Sequence, residues 1–90
     1  MNEATNLICV TGYIRDGYEC CHCGRELKHC IVTDAGIFGA ACFSNKITKP
    51  RVYNGRKYRL GTDAMISLAK MARNPERNGI GPHQLTFEAA

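Results

Sequence analysis

Three cysteines fall within four residues, Cys20, Cys21 and Cys23, and nineteen residues after Cys23 a further one ends Gly39-Ala40-Ala41-Cys42. Thiolates are soft ligands for a metal ion, and a C-x-x-C turn sets two of them on the same side of a tight loop. Gly24, directly after the second, admits the backbone conformation that lets N–H groups approach the sulfurs. The chemistry on offer is a metal site for Zn2+ with Cys20 and Cys23 as its first pair. Closed by four protein ligands, such a site is structural, because catalytic zinc keeps a position open for water.

The elements around these residues must supply what a small core cannot. The chain has 90 residues with 44% apolar content, but no Trp and only three Phe, so it forms one domain that gains much from a staple. Its six cysteines can act as that staple through disulfides or through a metal. The start, Met1 to Asn6, is polar, and the apolar run Leu7 to Val10 is too short for a signal segment or a membrane span. A cytoplasmic location follows as the expectation, and reduced thiols there favour metal ligation over bridging.

Period-two alternation from Leu7 to Ile14 predicts a strand, Arg15-Asp16-Gly17 a turn, and Tyr18 a return strand into the cysteine turn. If residue 14 pairs with 18, Cys9 falls opposite Cys23. Leu27 to Val32 reads as a strand, Asp34-Ala35-Gly36 as a turn and Ile37-Phe38 as a short return. Gly39 to Phe43 opens a short helix. Val52-Tyr53, Asn54-Gly55 and Arg56 to Leu60 form the clearest hairpin signal, since Asn-Gly suits a type I′ turn. Thr62 caps a helix running to Arg73, with Asp63 in its first turn and Met65, Leu68, Ala69 and Ala72 as its apolar stripe. The expected architecture is α+β: a small zinc-stapled domain over residues 1–77, with two β-hairpins and a C-terminal helix. Residues 78–90 read as a loosely held tail.

C-x-x-C-G-R-x-L, a β segment, a D-x-G turn and F-G-x-x-C together resemble the small treble-clef zinc modules of phage and prophage accessory proteins. The resemblance covers residues 18–45. It implies that Cys20 and Cys23 are the knuckle pair and Cys42 the ligand from the first helical turn. Helix ligands of that family come in pairs three apart, yet positions 39 and 45 are Gly and Asn. The fourth ligand therefore comes from elsewhere: Cys30 first, then Cys9, with His29, His22 and His83 as further candidates. A cysteine left out of the set is a small buried hydrophobe.

The formal charge is +4, and four thiolates around one Zn2+ would lower it to about +2. Its distribution says more than its size. No carboxylate occurs between Asp34 and Asp63, while Lys46, Lys49, Arg51, Arg56, Lys57 and Arg59 lie in that interval. A two-residue Asn54-Gly55 loop pairs Tyr53 with Arg56, Arg51 with Tyr58 and Lys49 with Leu60, so cations and rings share one face. Cations interleaved with aromatic rings suit nucleic acid, through phosphate contacts and base stacking. The same pairs also suit an exposed hairpin stabilised by Arg–Tyr contacts, or an acidic surface on a host protein. The expected function is a non-enzymatic zinc-binding accessory protein that engages nucleic acid or a nucleic-acid-associated host protein through Lys49, Arg51, Tyr53, Arg56, Lys57, Tyr58 and Arg59. The alternatives are a host-protein inhibitor or adaptor and a degenerate His-Me-type nuclease. The nuclease layout is echoed in Lys28-His29 but lacks its Asp-His pair.

Overall fold

The alternation that begins at Leu7 becomes one long strand, β1 (Leu7–Glu19), which turns Ile8, Val10 and Gly12 inward. A computed structural model describes residues 6–90; the polar start, residues 1–5, lies outside the described residues. β1 pairs antiparallel with β2 (Glu26–Thr33), and Asp34-Ala35 turns β2 into β3 (Gly36–Gly39). A short helix, α1 (Ala40–Cys42), continues into a π-helical turn over Phe43–Ile47. Then follow the hairpin β4 (Arg51–Tyr53) and β5 (Arg56–Tyr58), helix α2 (Thr62–Ala72), the turn-length α3 (Pro82–Leu85) and β6 (Thr86–Glu88). The main sheet has the order β3-β2-β1-β6, and β4 and β5 form a second, two-stranded sheet. The architecture is α+β with two antiparallel sheets.

Asp16-Gly17 does not reverse the chain. Arg15 pairs with His29 and Tyr18 with Leu27, so residues 16 and 17 together face Lys28 in a bulge. Both carry positive φ, 61° and 88°. Two left-handed residues serve a turn or a bulge alike, and β2 decides the outcome here by pairing with both halves of β1. The correction displaces Cys9, which pairs with Thr86 and is tied to the β2–β3 turn. Its N–H donates to Asp34 Oδ1 at 3.0 Å, and the N–H of Asp34 returns to its carbonyl at 3.1 Å. The register that would set Cys9 against Cys23 does not form.

The inward stripe of α2 comprises Met65, Leu68, Ala69 and Ala72, as its spacing requires. It meets Val10, Ile31 and Phe43 in the core. Gly61, one residue before Thr62, takes the N-cap position with extended backbone. Phe43 lies 5.8 Å from Phe38 in a stacked arrangement and 5.4 Å from Phe87 edge-on, measured between ring centroids. Such pairs contribute beyond their buried area. The buried hydroxyls are all bonded: Thr33 to the Gly36 carbonyl, Ser44 to that of Leu60 and Thr48 to that of Phe43.

The final residues are not a loose tail. β6 adds to the free edge of β1, with Leu7 opposite Glu88 and Ile8 opposite Phe87. Leu85 and Phe87 are buried, and the Ala90 N–H donates to the Ile47 carbonyl at 2.8 Å. Phe87 has a reason to be there, because its ring completes the aromatic cluster around Phe43. Removing it leaves a cavity in the centre of the core. Phe87→Ala should therefore cost about 3–5 kcal/mol, in the range of buried Phe truncations, read as a lowered midpoint in denaturant unfolding. A change under about 0.5 kcal/mol, the level of surface substitutions, would show that the last strand is dispensable.

Candidate metal centre

The loop between β1 and β2 is built by its own backbone. The Gly24 N–H donates to the Cys20 carbonyl and the Cys20 N–H to the Arg25 carbonyl, each at 2.9 Å. Gly24 has φ +72°, which closes this turn without the penalty a side chain would bring. A further bond, Cys21 N–H to the Ile37 carbonyl at 2.8 Å, anchors the loop to β3. In return the Ile37 N–H donates to Cys21 Sγ at 3.4 Å, so Cys21 is spent on holding the loop against the sheet.

Cys42 reaches the loop because β3 ends where α1 starts. A Cβ at Gly39 would lie 2.9 Å from Leu27 Cδ2, so the absence of a side chain at residue 39 lets the Leu27 methyl pack directly against the end of β3. The ligand atoms of Cys20, Cys23 and Cys42 then lie within 4.8 Å of one another. Ligand sulfurs on a tetrahedral zinc are about 3.8 Å apart, given bonds near 2.3 Å, so a small contraction would complete the set. Cys20 is buried, Cys42 half-buried and Cys23 exposed. These three cysteines fit a metal ion.

Electrostatics within the trio favours a cation. Burial alone would raise the Cys20 thiol, but backbone N–H groups of Cys23, Gly39 and His22, with the Cys23 thiol, bring it down to about 7. The Cys42 thiol is pushed up to about 11, first by burial and then by Cys20 and Cys23 beside it. One sulfur is thus prepared as a thiolate while its neighbour resists a second negative charge. A metal cation removes that conflict.

His22 Nδ1 lies 3.1 Å from Cys42 Sγ, which makes it the nearest to the trio among the candidate fourth ligands, outside the group of three sulfurs that lie within 4.8 Å of one another. The other candidates lie elsewhere. Cys30, placed first by sequence, is fully buried in β2 opposite Ile14 and Gly39 and is not part of the trio. Burial pushes its thiol up, which suits a small apolar side chain. His29 Nδ1 is bonded to the Tyr13 hydroxyl at 2.5 Å, and His83 sits in α3. The signal for His22 was its place inside the knuckle itself, between Cys21 and Cys23.

In the basic hairpin, the register is Arg51–Tyr58, Val52–Lys57 and Tyr53–Arg56, around an Asn54-Gly55 turn with φ +51° and +76°. Lys49 leaves this ladder: its N–H donates to the Glu88 carbonyl at 2.8 Å, and no Lys49–Leu60 pair forms. Arg51 and Arg59 are also committed to the fold. Arg51 donates to the carbonyls of Gln84 (2.7 Å) and Thr86 (3.3 Å) and lies 4.0 Å above the Phe87 ring. Arg59 donates to the carbonyls of Ser44 (2.6 Å) and Thr48 (2.9 Å), beside the π-helical turn. No helix among the described residues is long and apolar enough to cross a membrane.

No protein-family model, curated protein or solved structure matches this chain.

Metal content measured on single variants separates the ligands. Cys20→Ser, Cys23→Ser and Cys42→Ser should each abolish stoichiometric metal, whereas Cys30→Ala should keep one ion per chain. His22→Ala should weaken affinity by about tenfold or more in a chelator competition, the scale on which a ligand's partners act. Retention of full affinity by His22→Ala together with metal loss in Cys30→Ala would exchange the fourth ligand.

Proposed function

We propose that this chain is a non-enzymatic zinc-stapled binding domain that engages nucleic acid through the β4–β5 hairpin. Zinc is the metal that suits three thiols and an imidazole in a small closed site. The order of elements, a knuckle turn, the β2–β3 hairpin and then a helical turn carrying Cys42, supports a treble-clef-like reading. It thereby also supports the resemblance to phage and prophage accessory modules.

The observation that carries the nucleic-acid reading is one exposed face holding rings and cations together. Tyr53 is 68% exposed and Tyr58 42%, each directly across from an arginine. Lys46, Lys49, Arg56 and Lys57 are exposed as well, and the sequence has no carboxylate from residue 35 to 62 to neutralise them. A tyrosine whose only role was cross-strand packing would be better covered. Open rings beside guanidinium groups suit unpaired bases and the phosphates between them. Arg51 and Arg59 hold backbone carbonyls of the body with their donors, so they act as supports of the hairpin.

Binding of fluorescent oligonucleotides at several salt concentrations tests this. Arg56→Ala and Lys57→Ala should each weaken binding with little dependence on sequence and make the salt slope shallower by about one. Tyr53→Ala should cost about 1–3 kcal/mol on single strands and less on duplex. Arg51→Ala should lower thermal stability as well, since it uncovers Phe87 and frees two carbonyls. Absence of binding to any DNA or RNA at low salt would overturn the reading.

A further inference from the structure

β2 is twice as long as its partner β3. β3 pairs with Cys30–Thr33 only, since the chain leaves the sheet at Gly39 to form α1. Glu26, Leu27 and His29 are therefore paired to β1 on one side, with Lys28 opposite its bulge, and among the described residues no strand lies opposite these four on the other side. The unpaired side borders an open groove. It forms one wall of a cavity of about 560 Å³ whose far side is built from α1, the π-helical turn and the start of α2.

An unpaired strand edge presents backbone donors and acceptors in a row and is a ready template for another strand. Here the row is four residues long, about 13 Å at the usual rise per residue. The opposite wall offers apolar surface from Ala40, Ala41 and Ile66. Charge identifies the sign of the occupant: Arg25, Lys28 and Lys46 line the cavity against a single carboxylate, Glu26. We propose that this cavity binds an extended acidic peptide segment of a protein partner, which adds to β2 as a strand along Glu26–His29. Main-chain bonds to the edge supply affinity, alternate side chains meet the apolar wall, and the carboxylates between them meet the cations. The surface does not include the β4–β5 strands, and Lys46 is the one cation it shares with the set invoked for nucleic acid.

The test uses the full-length, metal-loaded chain and an acetylated, amidated hexapeptide of alternating glutamate and valine, followed by amide NMR and hydrogen exchange. Binding should slow exchange by about tenfold or more at the alternate amides of Glu26–His29 that point away from β1 and leave β4–β5 resonances in place. The same peptide N-methylated at alternate amides should lose binding, because its charge and side chains remain while its ladder does not. Lys46→Glu, on the exposed π-helical turn, should weaken the peptide by about tenfold without altering metal content. No shifts at about 1 mM peptide would overturn the proposal. So would equal binding of the N-methylated peptide, or cavity shifts caused by mononucleotides and not by the peptide, which would reassign the cavity to an anion or a nucleotide.

Discussion

The departure of the chain from the sheet at Gly39, where β3 ends and α1 begins, is the constraint on which the site depends. Cys20 and Cys23 belong to a loop between β1 and β2, while Cys42 lies beyond the next hairpin. Where β3 ends, the chain brings the later sulfur to the earlier pair, and the Leu27 methyl packs against that point. The same departure of the chain from the sheet shortens β3 and leaves half of β2 unpaired. One departure from the sheet thus brings Cys42 to the earlier pair and opens the cavity beside it.

The loop needs such a constraint because it has little apolar contact of its own. From Cys21 to Glu26 every residue is exposed. Its internal bonds fix its shape, and the Cys21–Ile37 bond fixes one point of attachment. A metal shared with Cys42 would add a second attachment across a gap that the core does not bridge. The distant end of the molecule is held differently. Arg51 and Arg59 donate to carbonyls on α3, β6 and the π-helical turn, joining the basic hairpin to a body with which it shares no sheet. Guanidinium groups suit this work, since each carries several donors in a fixed fork and stays charged.

Features read from local spacing were legible in the sequence. The α2 stripe, the Asn54-Gly55 turn and the pair Cys20 and Cys23 follow from periodicity, turn chemistry and the C-x-x-C motif, each within one or two elements, while Cys42 follows from the resemblance to treble-clef modules. What escaped was set by partners distant in sequence. Asp16-Gly17 carries the chemistry of a turn, and only the pairing of β2 across it makes it a bulge. Phe87 follows a Gly-Ile-Gly-Pro stretch that reads as loose chain, and its burial depends on Phe43 and on the vacant edge of β1. Cys30 sits mid-motif and attracts a ligand role, yet the alternation of β2 turns it into the interior, away from the trio. The two arginines could be counted but not assigned, because their acceptors are backbone carbonyls up to thirty-five residues away.

The nature of the fourth donor reaches beyond the metal. Four thiolates on Zn2+ carry a net charge of −2, while three with a neutral imidazole carry −1. With His22 in place of a fourth cysteine, the loaded chain keeps about +3 rather than about +2. That extra unit is local, because Cys23 and Cys42 themselves border the cavity that Arg25, Lys28 and Lys46 line. Over such short distances screening by salt is incomplete, so a more negative centre would offset part of the attraction for an anionic ligand. A mixed sulfur and nitrogen site would therefore suit both proposed demands on this corner of the fold, since it would staple the loop and offset less of the positive charge on the adjoining wall.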